Sequence, residues 1–272
     1  MTDYVHGYSE KEIERLSDQA NTLARLLHRD AVYPPGSTIL EAGCGSGAQT
    51  LLLAAQNPHS QITSMDMSPE ALDKAQAAIR SAGITNVRFI LGNIFHLPFP
   101  DESFDHVFVC FVLEHLAKPL EALRHLHRVL KPDGSLTAIE GDHGSFYCHP
   151  ESPAAAAVVN CLVQIQSHLG GNALIGRQLY PLLQQAGFEG LEVAPQMIYV
   201  DSSKPELVEG FTRKTFIAMI EGVMDQALTL KLIDEPMWKQ GIADLNRTTA
   251  EDGTFCYTFF KGVGIKQSQA VI

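Results

Sequence analysis

One short stretch, Glu41-Ala-Gly-Cys-Gly-Ser-Gly47, sets three glycines behind a carboxylate, and Asp66 follows at a distance that brings a second acid near the first. Glycine suits a place where backbone must approach a ligand closely, because a side chain would block it, and a helix starting just beyond presents unpaired N–H groups to the same ligand. An aspartate is an acceptor-only group that can take two donors, which is what a pair of ribose hydroxyls offers. Gly43, Gly45 and Ala48 also satisfy the loose dinucleotide fingerprint, so the loop alone does not choose between NAD and another adenosine cofactor.

A second group of chemistry-bearing residues lies further on. Glu114 and His115 stand together, and Glu140-Gly-Asp-His-Gly144 holds two acids and a histidine within five residues. Histidine is the side chain whose ordinary titration falls near neutral pH, so His143 is the leading candidate for a general base or orienting group, with His115 behind it. The spacing of Asp142, His143 and His149 matches no finger or helical metal pattern, and no metal is expected. Cys110 is read as a small buried apolar residue rather than a nucleophile.

These residues need a scaffold, and periodicity supplies it. Short apolar runs at 38–42, 61–66, 87–91, 105–110 and 135–140 alternate with helical patterns around 51–55 and over 69–83 and 119–130. Strands separated by helices imply right-handed crossovers and a parallel sheet covered on both faces, with ligand crevices at the carboxyl ends of its strands. An amphipathic helix opened by a Ser9–Glu12 capping box precedes this core. Beyond Glu140 the rhythm loosens into a polar loop, helices over 153–168 and 180–186, a strand over 191–197, a mostly helical stretch over 205–250 and a last strand over 254–260. The expected fold is therefore α/β, a doubly wound and mostly parallel seven-stranded sheet. Residues 1–36 form a lid segment and helix, 37–272 the main domain, and 141–176 and 200–252 substrate-binding insertions.

Composition narrows the partners. A net charge of −11 over 272 residues speaks against nucleic acid and anionic membrane surfaces. Five cysteines without a close pair fit neither a disulfide framework nor a zinc site, and the polar stretch 1–12 lacks the apolar core of a signal peptide. A cytoplasmic protein acting on a small molecule is the expectation; oligomeric state is left open.

Five stretches taken together resemble class I S-adenosylmethionine (SAM)-dependent methyltransferases, especially the ubiquinone and menaquinone biosynthesis group. They are Ile39-Leu-Glu-Ala-Gly-Cys-Gly-Ser-Gly47, Met65-Asp-Met-Ser-Pro69, Gly92-Asn-Ile-Phe-His-Leu-Pro-Phe99, Ser103-Phe-Asp-His-Val107 and Val129-Leu-Lys-Pro-Asp-Gly134. The resemblance implies SAM as methyl donor and S-adenosylhomocysteine as product. It places Glu41, Ala42, Gly43 and Gly47 at the amino-acid end of SAM, Asp66 on the ribose, and Met67, Asn93 and Ile94 around the adenine. Cys110 and Phe111 fall beside the methionine portion. Asn93 departs from the commoner aspartate but keeps a carbonyl acceptor. Tyr8 in the N-terminal segment, Glu140, Arg177 and Tyr180 are candidates for contact with the acceptor. A nicotinamide oxidoreductase, which would need a proton donor such as a Tyr-x-x-x-Lys pair, and a SAM-binding protein without turnover are the alternatives.

Overall fold

The computed structural model describes residues 10–268, the side chains of residues 10–14 and 17 excepted. The expected Ser9–Glu12 cap and the expected contact from Tyr8 lie outside the described residues. After helix α1 (Glu10–Leu27) come β1 (Thr38–Ala42), α2 (Ala48–Gln56), β2 (Gln61–Asp66), α3 (Pro69–Ser81), β3 (Val87–Leu91) and β4 (Phe104–Cys110). They are followed by α4 (Pro119–Val129), β5 (Leu130–Gly141), β6 (Tyr147–His149), α5 (Pro153–His168), α6 (Leu179–Gln185), β7 (Glu189–Asp201) and β8 (Thr254–Ile265).

Local chemistry explains where the helices begin. Ser68 precedes Pro69 and accepts the Ala71 N–H at 3.2 Å, and Ser152 precedes Pro153 and accepts the Ala155 N–H at 3.1 Å. A hydroxyl cap followed by proline satisfies one orphan donor and removes another.

The sheet runs β3-β2-β1-β4-β5-β8, with β1 to β5 parallel and β8 antiparallel between β5 and β7. It has eight strands where seven were expected. The extra one, β6, pairs Tyr147 to His149 with Cys256 to Thr254, on the same edge of β8 that β5 uses at Phe259 to Ile265. β5 and β6 are thus one strand line interrupted at 142–146, and the interruption is the loop that carries His143. Three residues in a polar context carry too little period-two signal to be seen in sequence.

Two apolar layers sandwich the sheet. On one face Ile39, Ile62, Phe108, Tyr257 and Phe259 pack with α1, α2, α5 and the 205–250 insertion; on the other Leu40, Met65, Val107 and Val109 pack with α4 and α6. α1 approaches the insertion closely: a Cβ at Gly210 would stand 2.5 Å from Thr22 Oγ1. Within the insertion, Val208–Ile217 is wound as a π-helix. Phe211 and Phe216 are five residues apart, which on an α-helix would set them about 140° from each other; the wider π turn brings both to one side.

Candidate functional site

The glycine loop leaves β1 at its carboxyl end. Gly43, Gly45 and Gly47 have φ of 80°, 51° and 87°, and the Gly43 and Cys44 N–H groups donate to Met65 O at 2.7 and 3.0 Å, tying the loop to the end of β2. A Cβ on Gly43 would lie 2.5 Å from Val112 Cγ2, whereas one on Gly45 would meet nothing within 4 Å. Gly43 is therefore a packing requirement, and Gly45 marks the open side of the cradle. Gly47 ends the loop at the start of α2, and a Cβ there would come within 3.0 Å of Ala75.

Asp66 ends β2 beside the glycine loop. Half-buried, it accepts the Gly45 N–H at 2.8 Å through Oδ2 and the Ser68 N–H at 2.9 Å through Oδ1. Each carboxylate oxygen keeps a further lone pair for a ligand donor. Next to it Met67 is 54% exposed, an apolar side chain at the rim that an adenine ring would cover. Asn93 is exposed and accepts the Phe95 N–H at 2.9 Å through Oδ1, while Ile94 is buried. An open cradle, a carboxylate with spare acceptor capacity and an exposed apolar side chain beside it fit an adenosyl group.

Glu41 is tied into the sheet through one of its two oxygens. Ala42 beside it is equally buried, and Glu41 Oε2 accepts Thr50 Oγ1 at 2.7 Å and Ser64 Oγ at 2.6 Å, bolting β1 to α2 and β2. Burial pushes its carboxyl up to about 7, against the pull of the two hydroxyls. The residue expected at the amino-acid end of SAM thus braces β1 against its neighbours through Oε2.

At the end of β4 the chain turns sharply. Phe111 has φ of 58°, and Glu140 Oε1 accepts the N–H groups of Val112 at 3.0 Å and Leu113 at 2.7 Å. Glu140 is fully buried and its Oε2 has no partner, so this expected acceptor contact is instead a staple for the turn. Burial, then the nearby charge of Glu114, hold its carboxyl well above the usual range. Cys110 beneath is buried, its thiol pushed up chiefly by burial, which agrees with an inert side chain.

The turn opens onto a small cleft. Phe111, Tyr257 and Phe259 line it from the sheet, Phe211, Phe216 and Met219 from the insertion, and Gln19 from α1. Its polar end is Glu114 and His143. The Cys110–Ile139 pairing of β4 with β5 brings these two residues together across the strand tips. His143 Nδ1 lies 2.9 Å from Tyr257 Oη, and His143 Nε2 lies 3.5 Å from Glu114 Oε2. Glu114 also has His115 Nε2 at 3.5 Å from Oε1 and accepts Gln166 Nε2 at 3.2 Å on Oε2. Burial works to raise its carboxyl, yet His115 first, then His143 and Gln166, bring it down to about 2 and keep it ionised.

Two expected acceptor contacts are drawn elsewhere. Arg177 donates to both oxygens of buried Asp142, at 2.6 and 2.7 Å, a bidentate pair that anchors the His143 loop. Tyr180 is 49% exposed on α6, across the sheet from the cleft. The residues missed by sequence reasoning are Gln19, Gln166, Phe211 and Phe216; the two phenylalanines sit in a helical-looking stripe that resembles plain core. Tyr257 and Lys261 have the Tyr-x-x-x-Lys spacing of a nicotinamide enzyme, but on a strand they lie about 13 Å apart, and Lys261 is ion-paired with Asp30.

Known proteins place this arrangement. Residues 40–138 match the family model of a methyltransferase domain, and the fold around them is that of the class I SAM-dependent methyltransferases. An uncharacterized methyltransferase of Schizosaccharomyces pombe is 37% identical over 147 residues, 52% of this chain and 52% of its own length. A demethylmenaquinone methyltransferase of Listeria welshimeri is 35% identical over 106 residues, 39% of this chain and 45% of its own. The chain spans about half the length of the curated relatives it matches. Haemonchus contortus phosphoethanolamine N-methyltransferase 2, in complex with S-adenosyl-L-methionine, superposes with a TM-score of 0.56 at 18% identity, over 91% of this chain and 52% of that one, a likeness of fold. No helix among the described residues is long and apolar enough to cross a membrane.

Proposed function

We propose that the chain is a SAM-dependent methyltransferase acting on a small organic acceptor that enters the cleft at the β4 and β5 tips. One observation carries the reading: Val112 packs on the glycine loop at Gly43, and its neighbour Phe111 lines the cleft. The proposed cofactor and acceptor sites therefore share a wall one residue thick.

Asp66 would hold the ribose, Met67, Asn93 and Ile94 the adenine, and the Gly43–Gly47 backbone with Phe111 the methionine portion. When bound, SAM supplies a methyl group already activated by a sulfonium, so the protein's task is to align the acceptor, exclude water and take a proton where one must leave. His143 is placed for that proton. In the tautomer that donates Nδ1–H to Tyr257 Oη, Nε2 is an acceptor at the polar end of the cleft, and in the other it faces Glu114 as a donor. His115 orients Glu114 at the margin. We read 37–272 as one domain in which α1 and the two insertions, 141–176 and 200–252, frame the acceptor. The net charge of −11 supports a small molecule over nucleic acid. The free cysteines fit a reducing, cytoplasmic setting.

Incubation with SAM carrying an isotopically labelled methyl group and a panel of small amines, phenols, carboxylates and thiols tests this by mass spectrometry. Label on a panel member, with S-adenosylhomocysteine formed in equal amount, is expected. Tight binding of S-adenosylhomocysteine with no label transferred to any class would favour a SAM-binding protein without turnover.

A further inference from the structure

The walls and floor of the cleft differ in a way that selects the acceptor. The walls are rings: Phe111, Phe211, Phe216 and Phe259 border the cleft. The floor is Glu114, 7% exposed and held ionised by the imidazoles of His115 and His143 at 3.5 Å, with no lysine or arginine among the described residues paired to it. Arg177 and Lys261 are spent elsewhere, on Asp142 and Asp30. An ionised carboxylate buried beside aromatic faces is costly unless a cation completes it.

The geometry at the floor adds a second requirement. Glu114 Oε2 and His143 Nε2 are 3.5 Å apart. When Nδ1–H is donated to Tyr257, both atoms are acceptors and neither can satisfy the other. A group carrying two or more N–H donors and a positive charge would bridge them, and ring faces around it would add cation–π attraction.

Building on the methyltransferase reading, we propose that the acceptor is a small cationic amine, its ammonium group held between Glu114, His143 and the aromatic walls, and that nitrogen is the atom methylated. His143 Nε2 takes one proton from the ammonium, which frees the nitrogen lone pair. That pair forms the new N–C bond as the methyl–sulfur bond breaks, and the electrons of the broken bond stay on sulfur, which leaves as the neutral thioether. The product amine keeps its charge next to Glu114 until it is released. Neutral phenols and enols, which would leave the Glu114 charge uncompensated, are disfavoured.

Calorimetric titration of the protein saturated with S-adenosylhomocysteine compares protonated ethanolamine with its neutral isostere propan-1-ol. Ethanolamine is expected to bind at least about tenfold more tightly, and Glu114→Gln to erase that preference. Phe216→Leu, which keeps apolar volume but removes a ring face, is expected to weaken ethanolamine several-fold while leaving the alcohol unchanged; it decides the matter if Glu114→Gln does not fold. Equal or tighter binding of the alcohol, or an unchanged ethanolamine preference in either variant, would overturn the proposal. Binding of S-adenosylhomocysteine in the same samples reports the cofactor site separately, so a failure there counts against the methyltransferase reading and not against the cation pocket, which ethanolamine also probes in its absence.

Discussion

The two sides of the strand tips handle buried charge in opposite ways. On the glycine-loop side, every acid has its hydrogen bonds from the chain itself: Glu41 from Thr50 and Ser64, Asp66 from the Gly45 and Ser68 amides. On the cleft side, Glu140 has an oxygen with no partner among the described residues, Glu114 rests on the Gln166 amide and two long histidine contacts, and Asp142 is neutralised by Arg177. The first arrangement is finished before a ligand arrives and needs from it only hydroxyl donors and an apolar ring. The second is unfinished and calls for a partner that brings charge. On the proposed reading, the general part of the molecule is the self-satisfied one, and the part that would discriminate among acceptors is the one with charge left over.

The largest way to break that contrast is through His143. His143→Gln should lower turnover of an accepted amine by about 100-fold to 10,000-fold, with binding of S-adenosylhomocysteine nearly unchanged. Equal losses in both would make His143 a structural part of the cofactor side. Next comes Arg177→Ala. Because Asp142 is buried, losing its partner should cost about 3 kcal/mol by chemical denaturation, whereas Tyr180→Ala on the opposite face should stay within about 0.5 kcal/mol.

Two glycines sharpen the cofactor side. Gly43→Ala meets both a left-handed φ and Val112, and should destabilise by about 2–4 kcal/mol. Gly45→Ala meets only the strained φ, at a cost of about 1–2 kcal/mol, so its stronger effect should be on affinity for S-adenosylhomocysteine. Similar destabilisation by both would refute the distinction between packing and open cradle.

A pH-dependent effect comes from titration of Glu41. Its folded-state carboxyl is raised from 4.5 to about 7, so the stability tied to it is complete below about pH 4.5 and falls as pH rises toward 7. Glu41→Gln, which does not ionise, should therefore gain on the parent protein by up to about 3 kcal/mol across that window. A pH-independent difference would mean that Glu41 is solvated and free to serve a ligand.

On the glycine-loop side the sequence signals are local. β2 and β3 fall at the residues where alternation placed them, Asp66 ends β2 and Met67 follows it, and the glycine φ values are those the loop letters demand. The cleft side depends on contacts far apart in the chain. Glu114 and His143 meet through strand register, and Tyr257 joins them from β8. Nothing near Glu140 says that its carboxylate turns inward to hold the amides of Val112 and Leu113, or that Arg177 is committed to Asp142. The π winding of Val208–Ile217 hides Phe211 and Phe216 from any reading based on a 3.6-residue period.

Calorimetric titration with S-adenosylhomocysteine and, separately, with NAD, on the parent protein and on Asp66→Ala, tests the central claim. The account predicts micromolar binding of S-adenosylhomocysteine, weakened about 100-fold or more in Asp66→Ala as two charge-assisted hydrogen bonds are lost, and no binding of NAD. Binding of NAD alone, or an affinity for S-adenosylhomocysteine indifferent to Asp66, would contradict it.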